Sequence, residues 1–238
     1  AKLVEPDTRA IVLNNPNNPT GSVASRETLE KVLDVAARHA LVVMSDEIYD
    51  RMILDPIEHV PTASLRDDLP IATFGGLAKV FLGPGLRVGW SVLSGPPEVT
   101  APLSDAMQRL ARARLCASHP VQYAVRPALE GPQDHIEQVN AKLRRRRDLL
   151  MDRINAIPGW SLVPPRGAFY AFPRFDLGDL DDKQLVKDLI LEHGVVLVHG
   201  SGFGQRPGTQ HVRVVFLPDE ERLKAACSRI ADYSSVRA

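Results

Sequence analysis

The chain has 238 residues, 44% apolar and 24% charged, and its 29 basic and 29 acidic side chains cancel. That length can bury a substantial core in one or two domains, and the balanced charge gives no electrostatic argument for nucleic acid or an anionic membrane as a partner. Cys116 and Cys227 are too few for a disulfide framework and suit a reducing, cytoplasmic compartment, and no apolar run reaches the length of a membrane span.

In chain order, "AIVL" (10–13) and "ALVVMSD" (40–46) are short, wholly apolar runs that predict strands buried on both faces. "NNPNNPTG" (14–21) follows the first. Pro16 and Pro19 fix φ and Gly21 permits a tight bend, so on its own the block reads as a turn. "SRETLEKVLDVAARHA" (25–40) predicts a helix, with Ser25 as N-cap, Glu27 in the first turn, and Leu29, Val32, Leu33 and Ala36 on one apolar face. Strand, helix and strand with short loops make a βαβ unit, hence a parallel sheet. "PIATFGGL" (70–77) and "RVGWSVLS" (87–94) predict further strands. Ligands of such sheets gather beyond the carboxyl ends of the strands, so the loops 14–21 and "SDEIYD" (45–50) are expected to be neighbours.

A long helix is predicted over 134–154, with Ile136, Val139, Leu143, Leu150 and Ile154 on one side and "RRRR" (144–147) as a solvated face. Mixed strands and helices follow: "GAFYAFPRF", "DDKQLVKDLILEHG", "VVLVHG", "HVRVVFL" and a last helix, "DEERLKAACSRIADY", with Leu223, Ala226, Cys227 and Ile230 on one face. The pattern predicts three parts: an α/β domain over 1–133, a connecting helix over 134–156, and a smaller α+β domain over 157–238.

Chemistry concentrates in a few places. "LVVMSDEIY" ends an apolar strand in Asp46 and Glu47, as the magnesium-binding strand of P-loop nucleotide hydrolases does, yet no G-x-x-x-x-G-K-[ST] cradle occurs. "GGLAKVFLGPGLRVGW" offers Lys79 among apolar neighbours, with Arg87 eight residues on. An amine desolvated by such neighbours has a lowered pKa and becomes a nucleophile, as a Schiff-base lysine requires. Taken singly, the residues have plain readings: Lys79 a surface charge, Tyr49 a half-buried aromatic, Arg213 a strand residue reaching for solvent, Asn18 a turn residue. The seven histidines show no H-x-x-x-H spacing, so no metal is expected, and "GSGFG" (200–204) reads as a loop that fails the G-x-S-x-G pattern.

Together, "NPNNPTG", "SDEIY", "GLAKVFLGPGLRVGW" and "HVRVVF" resemble, in order and spacing, the fold-type I pyridoxal-phosphate aminotransferases of class I/II. With "RLCASHPVQYA" and "PPRGAFYAFP" the chain is most similar to the bacterial alanine aminotransferases. The resemblance implies an aspartate-aminotransferase-like α/β fold, with part of the cofactor-binding large domain in 1–133 and a small domain in 157–238. It implies pyridoxal 5'-phosphate as cofactor, with Lys79 as its Schiff-base lysine and proton shuttle. Asp46 would pair with the pyridinium nitrogen, Tyr49 and Asn18 with the phenolic oxygen, and Arg87 with the phosphate. Asn18 and Arg213 would meet the substrate, Arg213 at its α-carboxylate, a task suited to a planar, always-charged fork. Implied partners are an L-amino acid and a 2-oxoacid (alanine with 2-oxoglutarate, giving pyruvate and glutamate) and a second copy in a homodimer, with no nucleic acid or membrane.

Relatives carry a long N-terminal portion before the equivalent of residue 1, which supplies a phosphate cup and a ring-stacking aromatic. The chain is therefore expected to be the C-terminal part of such an enzyme. A second reading stays open, an aminotransferase-like fragment or sensing module that is catalytically incompetent without an N-terminal partner segment. So does a decarboxylation or elimination on the same cofactor.

Overall fold

In the computed structural model, which describes residues 3–237, the chain opens with β1 (Ala10–Asn14), α1 (Arg26–Arg38) and β2 (Val42–Asp46). The Ser25 side chain accepts the Thr28 N–H at 3.3 Å, the expected N-cap, and Leu29, Leu33 and Ala36 are buried. β3 (Ile71–Gly76) lies parallel to β2 as β2 does to β1, with Ala10 opposite Val42 and Asp46 opposite Phe74. β4 (Gly89–Ser94) runs antiparallel to β3, because the turn between them holds no crossover helix. The sheet order is β1-β2-β3-β4, mostly parallel as predicted.

One expectation fails. The apolar strands are not covered throughout: Leu33, Ala36, Leu41, Val43 and Ile71 form a core on the α1 side, while Val12 is 71% exposed on the opposite face and Val92, in β4, is 59% exposed. An unbroken apolar run does not reveal how many faces are covered. α2 (Pro97–Ala113), α3 (His119–Gln122) and α4 (Val125–Glu130) follow, with their residues exposed or half-exposed.

α5 (Asp134–Asn155) occupies the predicted long helix. The arginine run on it is not uniformly solvated. Arg144 pairs with Glu137 and Arg145 lies 3.8 Å from Glu220, but Arg146 donates to Leu217 O at 2.5 Å and Arg147 to Pro165 O at 3.3 Å. Four consecutive helical residues span most of the circumference, so they cannot share a face. After α5 come β5 (Trp160–Ser161), β6 (Tyr170–Ala171), β7 (Arg174–Phe175), α6 (Asp182–His193), β8 (Val198–His199), β9 (Gln210–Val215) and α7 (Glu220–Ser235). The five strands form an antiparallel sheet, β5-β7-β9-β6, with β8 also on β9. Asp181 and Asp219 cap the two helices through the backbone N–H groups of Gln184 and Arg222. Leu150, Ile154, Phe175, Leu189, Phe216 and Ile230 are among the buried side chains there.

The described residues cluster into two compact units, 3–16 with 23–136 and 17–22 with 137–237. Most of α5 goes with the second unit, where the sequence suggested a separate connector, and the turn at 14–21 is divided between the two. Among the described residues no helix is long and apolar enough to cross a membrane.

Candidate active site

In the first unit the parallel strands deliver their ends to the site. Asp46 closes β2, and its register partner Asn14 closes β1. Asn14 Nδ2 donates to Asp46 Oδ2 at 3.0 Å, Ile48 N to Asp46 Oδ1 at 3.2 Å, and Asn15 N to Asp46 O at 3.0 Å. The carboxylate is thus oriented by its neighbours, and the expected proximity of residues 14–15 to "SDEIYD" is present.

Glu47 is turned away from this chemistry. It is buried and accepts hydrogen bonds from Ser45 Oγ and Thr62 N to Oε1, each at 2.9 Å, and its Oε2 lies 2.9 Å from His59 Nε2. Burial alone would raise its pKa, but the bonds from His59, Thr62 and Ser45 outweigh that and hold the carboxyl below its ordinary value.

Lys79 stands in the turn after β3. Buried Leu77 and Val80 pin the turn on either side, and Gly83 N donates to Leu77 O at 2.9 Å. The amine itself is half-buried, with Nζ 5.8 Å from the ring centroid of buried Tyr49. Arg87 is exposed, with φ of 52°, and its Nη1 donates to Pro84 O at 2.8 Å. It borders a hollow with Gly75, Gly76, Ala78 and Gly89. Gly76 and Gly89 face each other in register, and a Cβ on Gly89 would come within 2.8 Å of Gly75 O. A more enclosed cavity of about 100 Å³ adjoins this hollow at Ile48, Gly75 and Gly76 and extends to Asp50, Thr73, Phe81 and Trp90, without being lined by Asp46 or Lys79. The donor chemistry, not the cavity, marks the site.

In the second unit the structure joins Asn18 and Arg213, which are far apart in sequence. Asn18 is held by a tight turn: Asn17 N donates to Ser22 O at 2.9 Å, and Gly21 N to Asn17 O at 2.8 Å. Gly21 has φ of +67°, and its carbonyl accepts from Arg166 N and Gly167 N at 2.8 and 2.9 Å. A Cβ there would fall 2.3 Å from Pro165 Cβ, so only glycine fits. Arg213 Nη1 donates to Asn18 Oδ1 at 3.1 Å. Its Cζ lies 4.9 Å from the Tyr170 ring centroid and 4.7 Å from that of Phe203. Its Nε is buried and makes no hydrogen bond among the described residues. Arg213 is half-buried, and a guanidinium whose hydrogen bond goes to a neutral amide oxygen keeps its charge available to an anion.

Sequence reasoning missed Tyr170 and Phe203. Phe203 ends a 3₁₀ turn, Gly200–Phe203, where a plain loop was expected. The signal was an aromatic flanked by glycines in "GSGFG", spacing that carries no hint of which side chain it will meet. Asp46, Tyr49, Lys79 and Arg87 belong to the first unit, Asn18 and Arg213 to the second.

The chain matches the family model of aminotransferase class I and II over residues 1–230. It is 40% identical over 231 residues to an alanine aminotransferase of Mycobacterium tuberculosis, covering 95% of this chain and 54% of that protein. It is 40% identical over 237 residues to the glutamate-pyruvate aminotransferase AlaA of Escherichia coli K12, covering 98% and 58%. An alanine aminotransferase structure from Pyrococcus furiosus superimposes with a TM-score of 0.94 at 40% identity, over 99% of this chain and 60% of that one. The expected fold is therefore the observed one, and the chain spans little more than half the length of these relatives.

Proposed function

Because the chain belongs to the class I and II aminotransferases, we propose that it works with pyridoxal 5'-phosphate to move an α-amino group from an L-amino acid to a 2-oxoacid. The observation that carries this reading is that two neighbouring parallel strands present a carboxylate and an amine from the same end. Asp46 is the last residue of β2, and Lys79 lies in the turn leaving β3, beside buried Tyr49. With Arg87 over a glycine-walled hollow, the donor set complements a phosphorylated pyridine aldehyde.

Bound to such residues, the cofactor supplies an electron sink for the pair left when an amino acid loses its Cα proton. Lys79 would hold the cofactor through its aldehyde, with loss of water, and its amine is the base that would move the substrate's Cα proton. Asp46, oriented by Asn14 and the Ile48 N–H, keeps the ring nitrogen protonated. Tyr49 and Asn18 would hydrogen-bond the phenolic oxygen, and Arg87 would hold the phosphate. Arg213 binds the substrate α-carboxylate through a planar fork, the role its unspent buried Nε–H supports. Two relatives are named for alanine and for the glutamate-pyruvate pair, which supports a reading in which alanine and 2-oxoglutarate exchange the amino group to give pyruvate and glutamate. A homodimer is the assembly the resemblance implies, and light scattering measures it directly.

The test is a titration of the purified protein with pyridoxal phosphate, followed in the visible beside a Lys79→Ala variant, with borohydride reduction to map the labelled lysine. A saturating band that needs Lys79, with alanine-dependent bleaching restored by 2-oxoglutarate, is the expected result. A band indifferent to Lys79 overturns the assignment. A Lys79-dependent band without turnover supports instead the reading as a sensing or partner-dependent module.

A further inference from the structure

A half-buried guanidinium commonly ends on a carboxylate, because partial burial of a charge is offset by a counter-charge. Arg213 ends between two aromatic faces instead, 4.7 Å from the Phe203 centroid and 4.9 Å from that of Tyr170. Its Nη1 is committed to Asn18 Oδ1 and its Nε is buried without a hydrogen bond among the described residues. Cations placed over ring faces are attracted by the ring quadrupole, more strongly when desolvated. A ring on Arg213 also restricts rotation of the guanidinium plane, and a carboxylate pairs with two N–H groups only within that plane.

Both rings are built in. Tyr170 is buried and stands opposite Val215 in the β6–β9 register, which makes Arg213 its diagonal neighbour on β9, within reach of an aromatic side chain. Phe203 is placed by its own loop. His199 Nδ1 accepts the Gly202 N–H at 3.2 Å, and buried Asp182 accepts Ser201 N at 2.5 Å and Gln205 Nε2 at 3.3 Å. Gln205 Oε1 accepts the His211 N–H at 2.9 Å, tying the loop to the strand that carries Arg213. Phe172 meets Phe203 edge-on at 6.2 Å, with an interplanar angle of 88°. A Cβ on Gly200 would fall 2.6 Å from both Gln205 Oε1 and His211 O, so the close approach of loop and strand requires glycine.

We propose that Phe203, with Tyr170, is a positioning residue that fixes the plane of the Arg213 guanidinium and thereby sets the affinity for the carboxylate of the substrate. This rests on the reading of Arg213 as the carboxylate-binding group. Phe203 acts through Arg213, so its loss raises KM for the amino acid and leaves kcat at saturation within about threefold.

The experiment compares wild type with Phe203→Leu, which removes the ring face but keeps apolar bulk, and with Phe203→Tyr, which restores it. The first readout needs no cofactor. The Arg213 Nε–H resonance, assigned by its absence in Arg213→Lys, is expected to be shifted by the rings and slow to exchange. Both properties should be reduced in Phe203→Leu, where only the Tyr170 ring remains, and recovered in Phe203→Tyr. The second readout is calorimetric binding of propionate, the amino-free analogue of alanine, to the cofactor-loaded protein, expected to weaken about 3- to 30-fold in Phe203→Leu. Binding that depends on Arg213 but is equal in wild type and Phe203→Leu overturns the positioning role alone. Binding indifferent to Arg213→Lys overturns the underlying reading of Arg213. If the leucine variant loses its native amide spectrum, Phe203→Met, which is unbranched and flexible, answers the same question.

Discussion

Glu47 is the buried carboxylate whose removal should cost most. Its Oε1 accepts from Ser45 Oγ and from Thr62 N and its Oε2 meets His59 Nε2, all at 2.9 Å, while the Ser45 and Thr62 hydroxyls lie 2.9 Å apart. Glu47→Ala strands these groups in a site where glutamate and histidine side chains are 7% and 8% exposed, and breaking such a pair costs about 3–5 kcal/mol. Glu47→Gln keeps an oxygen for Ser45 and Thr62 and loses the charge-assisted bond to His59, about 1.5–3 kcal/mol. The folded-state pKa lies below the ordinary 4.5, so this stabilisation is fully present above that value and disappears as pH falls through the folded one. The gap in stability between wild type and Glu47→Gln should therefore narrow as urea titrations move from about pH 7 to about pH 3. Amide exchange at Thr62, whose N–H binds Glu47 directly, gives a local measure that does not depend on two-state unfolding. A gap unchanged across that range, or a Glu47→Ala cost below about 1 kcal/mol, refutes the reasoning.

Gly21→Ala adds a Cβ 2.3 Å from Pro165 Cβ and 2.8 Å from Tyr170 O at a φ of +67°, and should cost at least about 2 kcal/mol, read from thermal unfolding. Asp182→Ala removes Oδ2, the shared acceptor of Ser201 N and Gln205 Nε2, costing about 1–3 kcal/mol and speeding exchange of the Ser201 amide. Asp46→Asn removes the charge for the ring nitrogen and should weaken pyridoxal phosphate binding about tenfold or more, with any residual visible band still requiring Lys79.

Local pattern made the first half of this architecture readable. Ser25, Leu29, Leu33 and Ala36 announce a capped amphipathic helix between two apolar runs, and parallel strands follow from that order. The helices 182–193 and 220–235 were legible for the same reason, with Asp181 and Asp219 where capping residues belong. The exposure of Val12 and of Val92 was not, because it depends on what lies over each, which no strand encodes. At the candidate site the residues proposed for cofactor and substrate stand in motifs that the sequence displays. Those that hold them were not legible: Asn14 reaches Asp46, and Phe203 reaches Arg213, across sequence gaps that no local period spans.

The divided turn bears on any attempt to take the molecule apart. Six residues, 17–22, leave the first unit after Pro16 and rejoin it at Val23, yet they belong with the body that resumes at Glu137. Expression of residues 137–238 alone would omit the carbonyl of Gly21, leaving the amides of Arg166 and Gly167 without their acceptor, and would omit Asn18, the acceptor for Arg213. Trimming the chain at α5 therefore yields a second unit with a hole beside Arg213, whereas a graft of residues 15–24 onto that fragment through a short linker should close it. The cut that looks natural on a linear map is the one the fold does not permit.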